Sequence, residues 1–399
     1  MANRLRPETN NAALNHGELR TRRMPSRRRR KGAQDGEPLR VVVVGASLSG
    51  LMTALAISRA GMSVTMLERT GRFPRTGAAV GLSVTLLGRL AHLEGSASIP
   101  SAFSSTPTLG ATWSALHDRL RAAVEADPRI EVQNETGVQS VDQDAGGAWA
   151  VTTAARTFPG DVVVGADGHR SVVRAHVSPE RPEAAFAGYM IWLGLSQESG
   201  MPSVRRWPED TAMLSPDDSY FFGYPVPDVN GAFVPGAREL GWAWYDARRN
   251  GLLRETGCVL GHVVQRSLTS DRVPAATLRE LAQEARYRLP SPWREAVLET
   301  IQRRSVIGTP IAEYEPERIV RQRVALVGDA AHVPTPMTGM GFAASLDDAE
   351  ALADALTTTR AGASVVDALQ MYERQRLDPA RRLVRSGQLF SRSFSREAA

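Results

Sequence analysis

Short apolar runs and longer amphipathic stretches alternate along this chain, and their periods set the expected elements. Leu39–Val44 is an apolar run ending at Gly45, Leu48–Ala60 carries helical periodicity up to Gly61, and Val64–Leu67 is a second short run ending in Glu68. That order predicts strand, helix, strand. Ser83–Leu93 and Thr112–Ala126 have the pattern of amphipathic helices, the second stopped by Asp127-Pro128. Short alternating segments between Ile130 and Ala154, turned at Gly146-Gly147, precede a buried strand at Asp161–Val164.

From about Ala184 to Glu313 the pattern changes. Aromatic and β-branched runs at Tyr189–Leu195, Tyr220–Tyr224 and Trp242–Tyr245 alternate with turns such as Pro235-Gly236, which predicts a mostly antiparallel sheet. Thr277–Leu289 and Trp293–Gln302 are helical, Val324–Val327 returns to a buried strand, and Met340–Thr358 and Val365–Phe390 form a helical end. Nucleotide-type patterns at both ends of the sheet region imply a discontinuous first domain. The expected organisation is a basic tail over 1–38, a first part of the nucleotide domain over 39–183, a sheet domain over 184–313 and the second part over 314–399.

Composition narrows the class. The chain has 399 residues, 42% of them hydrophobic, enough for a sizeable core in two or three lobes. A single cysteine, Cys258, rules out an internal disulfide and any thiolate metal cage, so no metal is expected, and a reducing cytosol fits. The longest apolar candidate, Val41–Met66, is broken by Gly45, Gly50, Arg59 and Gly61, short of the roughly 18 uninterrupted residues of a membrane span. Residues 1–38 hold ten of the 48 basic residues against four acids, a net of +6, while the remainder carries 38 against 39. The tail is expected to be a solvated, disordered leader, with Met24 inside it as a second possible start. The near-neutral remainder lacks a basic stripe interleaved with aromatics, so nucleic acid is not an expected partner.

Three segments carry chemistry. Gly45-Ala46-Ser47-Leu48-Ser49-Gly50 follows a strand and opens a helix, with Glu68 ending the next strand eighteen residues after Gly50. Glycines allow the tight turn, helix-terminal amides face a pyrophosphate, and the acid accepts ribose hydroxyls, which points to a dinucleotide. Ser47 stands where the middle glycine of that fingerprint belongs. Asp161–Ser171, followed by Arg174, delivers Asp167-Gly168 to a turn before a helix, which by itself is an ordinary strand-to-helix connection. In Gly328–Gly341, Asp329 at a strand end can bind a polyol hydroxyl, and Gly339 and Gly341 leave amides bare at a helix start. His332 in that segment is read as packing that supports the turn rather than as a base.

The ordered trio Gly45–Gly50, Asp161–Ser171 and Gly328–Gly341 resembles the three fingerprints of class A FAD-dependent monooxygenases, the para-hydroxybenzoate hydroxylase superfamily, over roughly residues 39–390. Gly223–Tyr245, with Pro225, Pro235-Gly236 and Trp242-Ala243-Trp244-Tyr245, and Thr112-Trp113 are similar to its 2,6-dihydroxypyridine hydroxylase-like branch. The resemblance implies an α/β fold: a discontinuous Rossmann-like FAD-binding domain, a mostly antiparallel substrate sheet and a helical C-terminus. It implies that Gly45, Ser47, Leu48, Ser49 and Gly50 face the FAD pyrophosphate, and that Glu68, with Arg69 beside it, faces the adenosine ribose. Asp167 and Gly168 would sit near the pyrophosphate, in a motif also used for the reduced nicotinamide cofactor. Asp329 would hold the ribityl chain, Pro336 would lie beside the reactive carbon of the isoalloxazine, and Gly339, Met340, Gly341 and Phe342 would face its pyrimidine edge.

The implied activity is NAD(P)H- and O2-dependent hydroxylation of an electron-rich aromatic or heteroaromatic molecule through a flavin C4a-hydroperoxide. A dry pocket would be lined by Trp192, Tyr220, Phe222, Tyr224, Pro334 and Met337, with Tyr220, Phe222 and Tyr224 sharing one face by the strand period of two. Two departures bear on the substrate. Trp192-Leu193-Gly194 stands where many relatives have Trp-Arg-Gly, and Ala343 replaces a frequent Asn, so an apolar or neutral substrate is expected over a carboxylate. Flavin-dependent halogenation is rejected, because it needs an active-site lysine and the only lysine, Lys31, lies in the tail. A Baeyer–Villiger enzyme of the two-Rossmann type would need a second Gly-rich nicotinamide site, which the sequence lacks. Epoxidation or Baeyer–Villiger-type oxygen insertion by the same flavin class stays open, as does a non-catalytic flavoprotein. A cytoplasmic monomer or homodimer acting in secondary metabolism completes the expectation.

Overall fold

The computed structural model describes residues 38–71, 79–95, 108–201, 203–216, 219–228 and 233–397. The expected basic leader, apart from Pro38, lies outside these residues. Arg40–Val44 is buried from Val41 onwards, as an interior strand of a two-sided sheet must be. It is flanked in parallel by Ser63–Leu67 and Val162–Gly165. Ile130–Gln133 joins beyond the first and Val324–Leu326 beyond the second, and antiparallel Val320–Arg321 closes that edge. Strands from both ends of the chain thus complete one six-stranded sheet. Helix Leu48–Arg59, apolar nearly all round, is sandwiched between this sheet and helix Gly341–Thr357, whose Ala344, Ala349 and Ala351 permit close approach.

The middle of the chain forms a seven-stranded sheet centred on Ala185–Gln197, which pairs antiparallel with Glu239–Asp246 on one side and Ile307–Glu313 on the other. Phe221–Val226 and Ala212–Leu214 extend it beyond Glu239–Asp246. The strand expected at Tyr220–Tyr224 starts one residue later, at Phe221, and runs on to Val226, although the Tyr220 carbonyl still accepts the Tyr245 amide at 2.8 Å. Its two faces pack against different partners. One carries Trp192, Phe221, Trp242 and Trp244 against helices Ala275–Arg288 and Trp293–Gln302; the other carries Tyr189, Ile191 and Tyr245. This second face is covered by the C-terminal helix, which runs from Val365 to Glu397, past the expected end at Phe390, so that Phe394 stacks with Phe390 over Tyr189 and Tyr220.

Two small antiparallel sheets complete the described fold: Ala79–Ser83 with Thr108–Thr112, and a meander of Val138–Gln143, Ala148–Thr152 and Thr157–Gly160. No described helix is long and apolar enough to cross a membrane. Helix starts follow local capping chemistry: Ser83 and Thr112 each accept an amide three residues on, at 3.2 Å. Gly165 marks the tightest packing in the parallel sheet, since a Cβ there would lie 2.6 Å from Val173 Cβ and 2.8 Å from Leu326 Cδ2. Gly165→Ala is therefore expected to destabilise the fold by about 2 kcal/mol, read as a lower denaturant midpoint at unchanged slope.

Candidate active site

Four adjacent parallel strands end at one edge of the sheet, and this brings Gly45, Glu68, Asp167 and Asp329 together from positions up to 284 residues apart. Gly45 has φ 103°, and a Cβ there would lie 2.5 Å from the Ala166 carbonyl oxygen; one on Gly50 would lie 2.0 Å from the Gly45 oxygen. Side chains are excluded at both positions, so the loop lies flat against the neighbouring strand end. Ser47 begins the helix without a side-chain cap, and the amides of the first turn stay open. Leu48 packs into the core, leaving only its backbone for a ligand. Buried Glu68 braces the turn, accepting the Ala46 amide at 2.8 Å on one oxygen and the Thr70 amide and hydroxyl at 2.8 and 2.7 Å on the other. Arg69 is exposed.

Asp167 spends its carboxylate locally. It accepts from the Ser171 hydroxyl and from the Val172 and Val173 amides, holding the start of the helix Val172–Val177. Burial raises its pKa against those hydrogen bonds. Arg174, fully buried, then ties the second segment to the third: its guanidinium donates to the carbonyls of His169, Pro182, Asp329 and Ala330 and lies 4.3 Å over the Tyr314 ring.

In the third segment the Asp329 side chain is exposed, and its carboxylate makes no hydrogen bond among the described residues. Desolvation by the surrounding protein nonetheless raises its pKa, against the charges of His332, His169 and Arg174. Gly328 (φ 56°) packs on Ser49, whose buried hydroxyl has no hydrogen-bond partner among the described residues; a Cβ on Gly328 would lie 2.4 Å from it. Pro336 and Met340 are exposed, Gly339 is left-handed at φ 63° with open space around it, and Gly341 starts a helix whose Phe342 rests on the core. A sheet edge that gathers open helix-start amides, two cramped glycines and a carboxylate without a hydrogen bond suits a ligand with phosphates and a polyol.

The family described as FAD binding domain matches residues 38–93 and 97–387. The chain belongs to that family. Within it, this flavoprotein is a class A FAD-dependent monooxygenase. It is 27% identical to 2,6-dihydroxypyridine 3-monooxygenase of Paenarthrobacter nicotinovorans, over 85% of this chain and 87% of that one. It is 26% identical to the FAD-dependent urate hydroxylase of Klebsiella pneumoniae, over 87% and 88%. The solved 2,6-dihydroxypyridine-3-hydroxylase from Arthrobacter nicotinovorans shares the fold with a TM-score of 0.71 at 23% identity, covering 90% of this chain and 94% of that chain.

Behind the flavoprotein's third segment lies a charged network. His332 Nε2 meets Asp348 at 2.7 Å, the same carboxylate oxygen accepts the Gly328 amide at 3.0 Å, and the other accepts Arg376 Nε at 2.8 Å. His332 is buried and joined to helix residues rather than facing the cleft. Burial lowers its pKa, but the charge and hydrogen bond of Asp348 outweigh this and raise it overall. Asp348 moves the other way: burial raises it, and His332 and Arg376 bring it below the ordinary value.

The expected pocket wall is corrected at one residue. Trp192 is fully buried on the opposite sheet face, with its indole nitrogen 3.0 Å from Asp246. The register explains this: Trp192 and Phe221 both pair with Trp244, so Trp192 shares a face with Phe221 and not with Phe222. Tyr220, Phe222 and Met337 do come together around Tyr189, Ile191 and Tyr245. Tyr224 lies on the same side over Gly241, where a Cβ would approach its ring to 2.0 Å. Pro334 is buried beneath Gly341. Tyr220 is also packed by Phe390 and Phe394, which were not among the expected contacts.

Two residues at this site escape a reading by motif. His117 holds the Ala46 carbonyl at 2.9 Å from a helix distant in sequence and stacks on Trp113. Arg174 carries a sequence signal, its fixed offset from Asp167, but its carbonyl partners come from the fold.

Asp329→Ala is expected to raise the FAD dissociation constant about tenfold or more, by loss of charge-assisted hydrogen bonding, measured by flavin fluorescence titration. The His332–Asp348 pair carries a signed pH dependence. His332, raised in the fold, stabilises fully below about 6.5 and loses this as pH rises through its folded value; Asp348, lowered, stabilises above about 3.8 and loses this on acidification. The melting-temperature gap between wild type and His332→Gln should be widest at about pH 5 to 6 and narrow as the pH rises through the folded value of His332.

Proposed function

We propose that this enzyme uses NAD(P)H and O2 to hydroxylate a neutral, electron-rich aromatic or heteroaromatic small molecule. The observation that carries the reading is the unengaged Asp329 carboxylate at the same sheet edge as the cramped Gly45–Gly50 turn. In this reading the Gly45–Gly50 turn holds the FAD pyrophosphate through the open amides from Ser47 to Gly50, with Ser47 as the side chain beside it. Glu68, with Arg69 beside it, faces the ribose; Asp167 and Gly168 border the pyrophosphate. Asp329 holds the ribityl hydroxyls, and the amides around Gly339–Phe342 face the ring edge where negative charge develops. FAD bound there supplies hydride acceptance from NAD(P)H and the activation of oxygen.

The chain's own residues then exclude water and orient the substrate. Ile191, Leu193, Phe222, Ala243 and Met337 belong to one uncharged cluster that would form the pocket wall, and Leu193 brings no cation to it. A planar substrate bearing hydroxyls or ring nitrogens and no carboxylate fits that wall. The names of the relatives support this class, since both the urate and the dihydroxypyridine enzymes act on nitrogen heterocycles. Residues 39–183 and 314–399 would then form the cofactor domain and 184–313 the substrate domain, in a cytoplasmic monomer or homodimer of secondary metabolism.

The test is to record the visible spectrum of the purified protein and follow NAD(P)H oxidation with phenols, indoles, hydroxypyridines and purines under 18O2. The expected outcome is a yellow protein whose oxidation rate rises at least about tenfold with one class, with one labelled oxygen in the product. Bound flavin with no stimulation by any panel member would favour a non-catalytic flavoprotein. Label in an epoxide or ester would redirect the reading to those reactions.

A further inference from the structure

Between the two sheets lies a chain of hydroxyl groups that the cofactor and substrate assignments do not use. Tyr189, on the central strand Ala185–Gln197, is fully buried, and its phenol hydrogen-bonds the Thr335 hydroxyl, also fully buried and directly before the Pro336 turn. Ser391 of the C-terminal helix stands beside the same phenol and acts to lower its pKa against burial. Ser391 in turn donates to Glu313 at 2.6 Å, at the end of the strand Ile307–Glu313. Four elements therefore meet along one line, Glu313 to Ser391 to Tyr189 to Thr335. The helix comes this close because its residue 387 is glycine: a Cβ there would lie 2.4 Å from Thr335 Cγ2 and 3.3 Å from the Thr335 nitrogen.

Each hydroxyl has one proton, so the chain has a direction. With Glu313 ionised, Ser391 donates to it, which leaves its oxygen able to accept from Tyr189, and Tyr189 able to accept from Thr335. With Glu313 protonated, the carboxyl can itself donate to Ser391, and the order of donors can reverse up to Thr335. The Thr335 carbonyl accepts both the amide and the hydroxyl of Thr338, so the conformation of Thr335 is passed directly to the turn Pro336–Thr338.

We propose that Tyr189 is a positioning residue for the Pro336–Gly339 turn, acting through Thr335, and that the protonation of Glu313 sets the state of the hydroxyl chain that holds it. This rests on the reading of that turn as a wall of the flavin site. Half-buried Glu313 is suited to the role. Burial raises its pKa, partly opposed by the Ser391 hydrogen bond and the charge of Arg392, and the groups that face it are Ser391 and Arg392 from the helix and Tyr189 from the strand.

The test titrates the full-length apoprotein with FAD by fluorescence across a pH series spanning the ionisation of Glu313, for wild type, Tyr189→Phe, Glu313→Gln and Asp329→Ala. Tyr189→Phe keeps the ring packing and removes only the hydroxyl. The expected result is an FAD affinity that changes with pH in wild type and becomes flat in both Tyr189→Phe and Glu313→Gln, with Tyr189→Phe weakened roughly fivefold or more. A merely structural Tyr189 would lower the melting temperature and leave the FAD affinity and its pH profile as in wild type, which overturns the inference. If Asp329→Ala weakens FAD while Tyr189→Phe does not, the flavin site stands and the positioning role falls. If neither variant alters FAD binding, the site assignment itself fails, and this inference with it.

Discussion

A buried guanidinium with its donors spread over backbone carbonyls is the constraint from which the rest of this site follows. Arg174 cannot shed its charge and is costly to bury, so the surrounding chain must present acceptors to it. It takes them from His169 and Pro182 near its own segment and from Asp329 and Ala330, some 155 residues on. Once those four carbonyls are turned inward, the Asp329 side chain is left free to open into the cleft. The ring of Tyr314 covers the guanidinium face.

The parallel sheet does the larger work of assembly. Strand ends that point the same way collect the loop at Gly45, the acid at Glu68 and the turns at Asp167 and Asp329 on one edge, and the helix between the first two strands aims its open amides there. Carboxylates that share this edge divide their tasks. Glu68 and Asp167 are engaged by backbone amides and hold loops in shape, while Asp329 has no such partner. Asp348, from behind, is held by His332 and Arg376 and fixes the Gly328 amide.

The antiparallel sheet serves a second purpose because its two faces differ. A tryptophan-rich face is sealed by two helices, and a face of tyrosine and phenylalanine meets the C-terminal helix and the Pro336 turn. That helix links the two sheets. It packs on helix Gly341–Thr357 at one end and crosses the central strand of the antiparallel sheet at the other. The apolar residues clustered on that face, Leu193 among them, are uncharged.

Local pattern by itself determined much of this protein. The alternation of runs predicted the strands around Gly45, Glu68 and Gly165 and helices such as Trp293–Gln302, because burial and periodicity act over a few residues. The three motif segments were legible for the same reason: the glycines and acids that shape a strand-to-helix turn are neighbours in sequence. Side chains whose place depends on pairing between strands were not. Trp192 is expected in the pocket from the sequence, yet the register with Trp244 turns it to the opposite face, and a period of two cannot reveal which face a partner strand will cover. Phe390, Phe394, Tyr189 and His117 acquire their contacts only when a distant helix or strand is laid across them. Arg174 joins both cases, since its spacing is local and its carbonyl partners exist only once the two ends of the chain share one sheet.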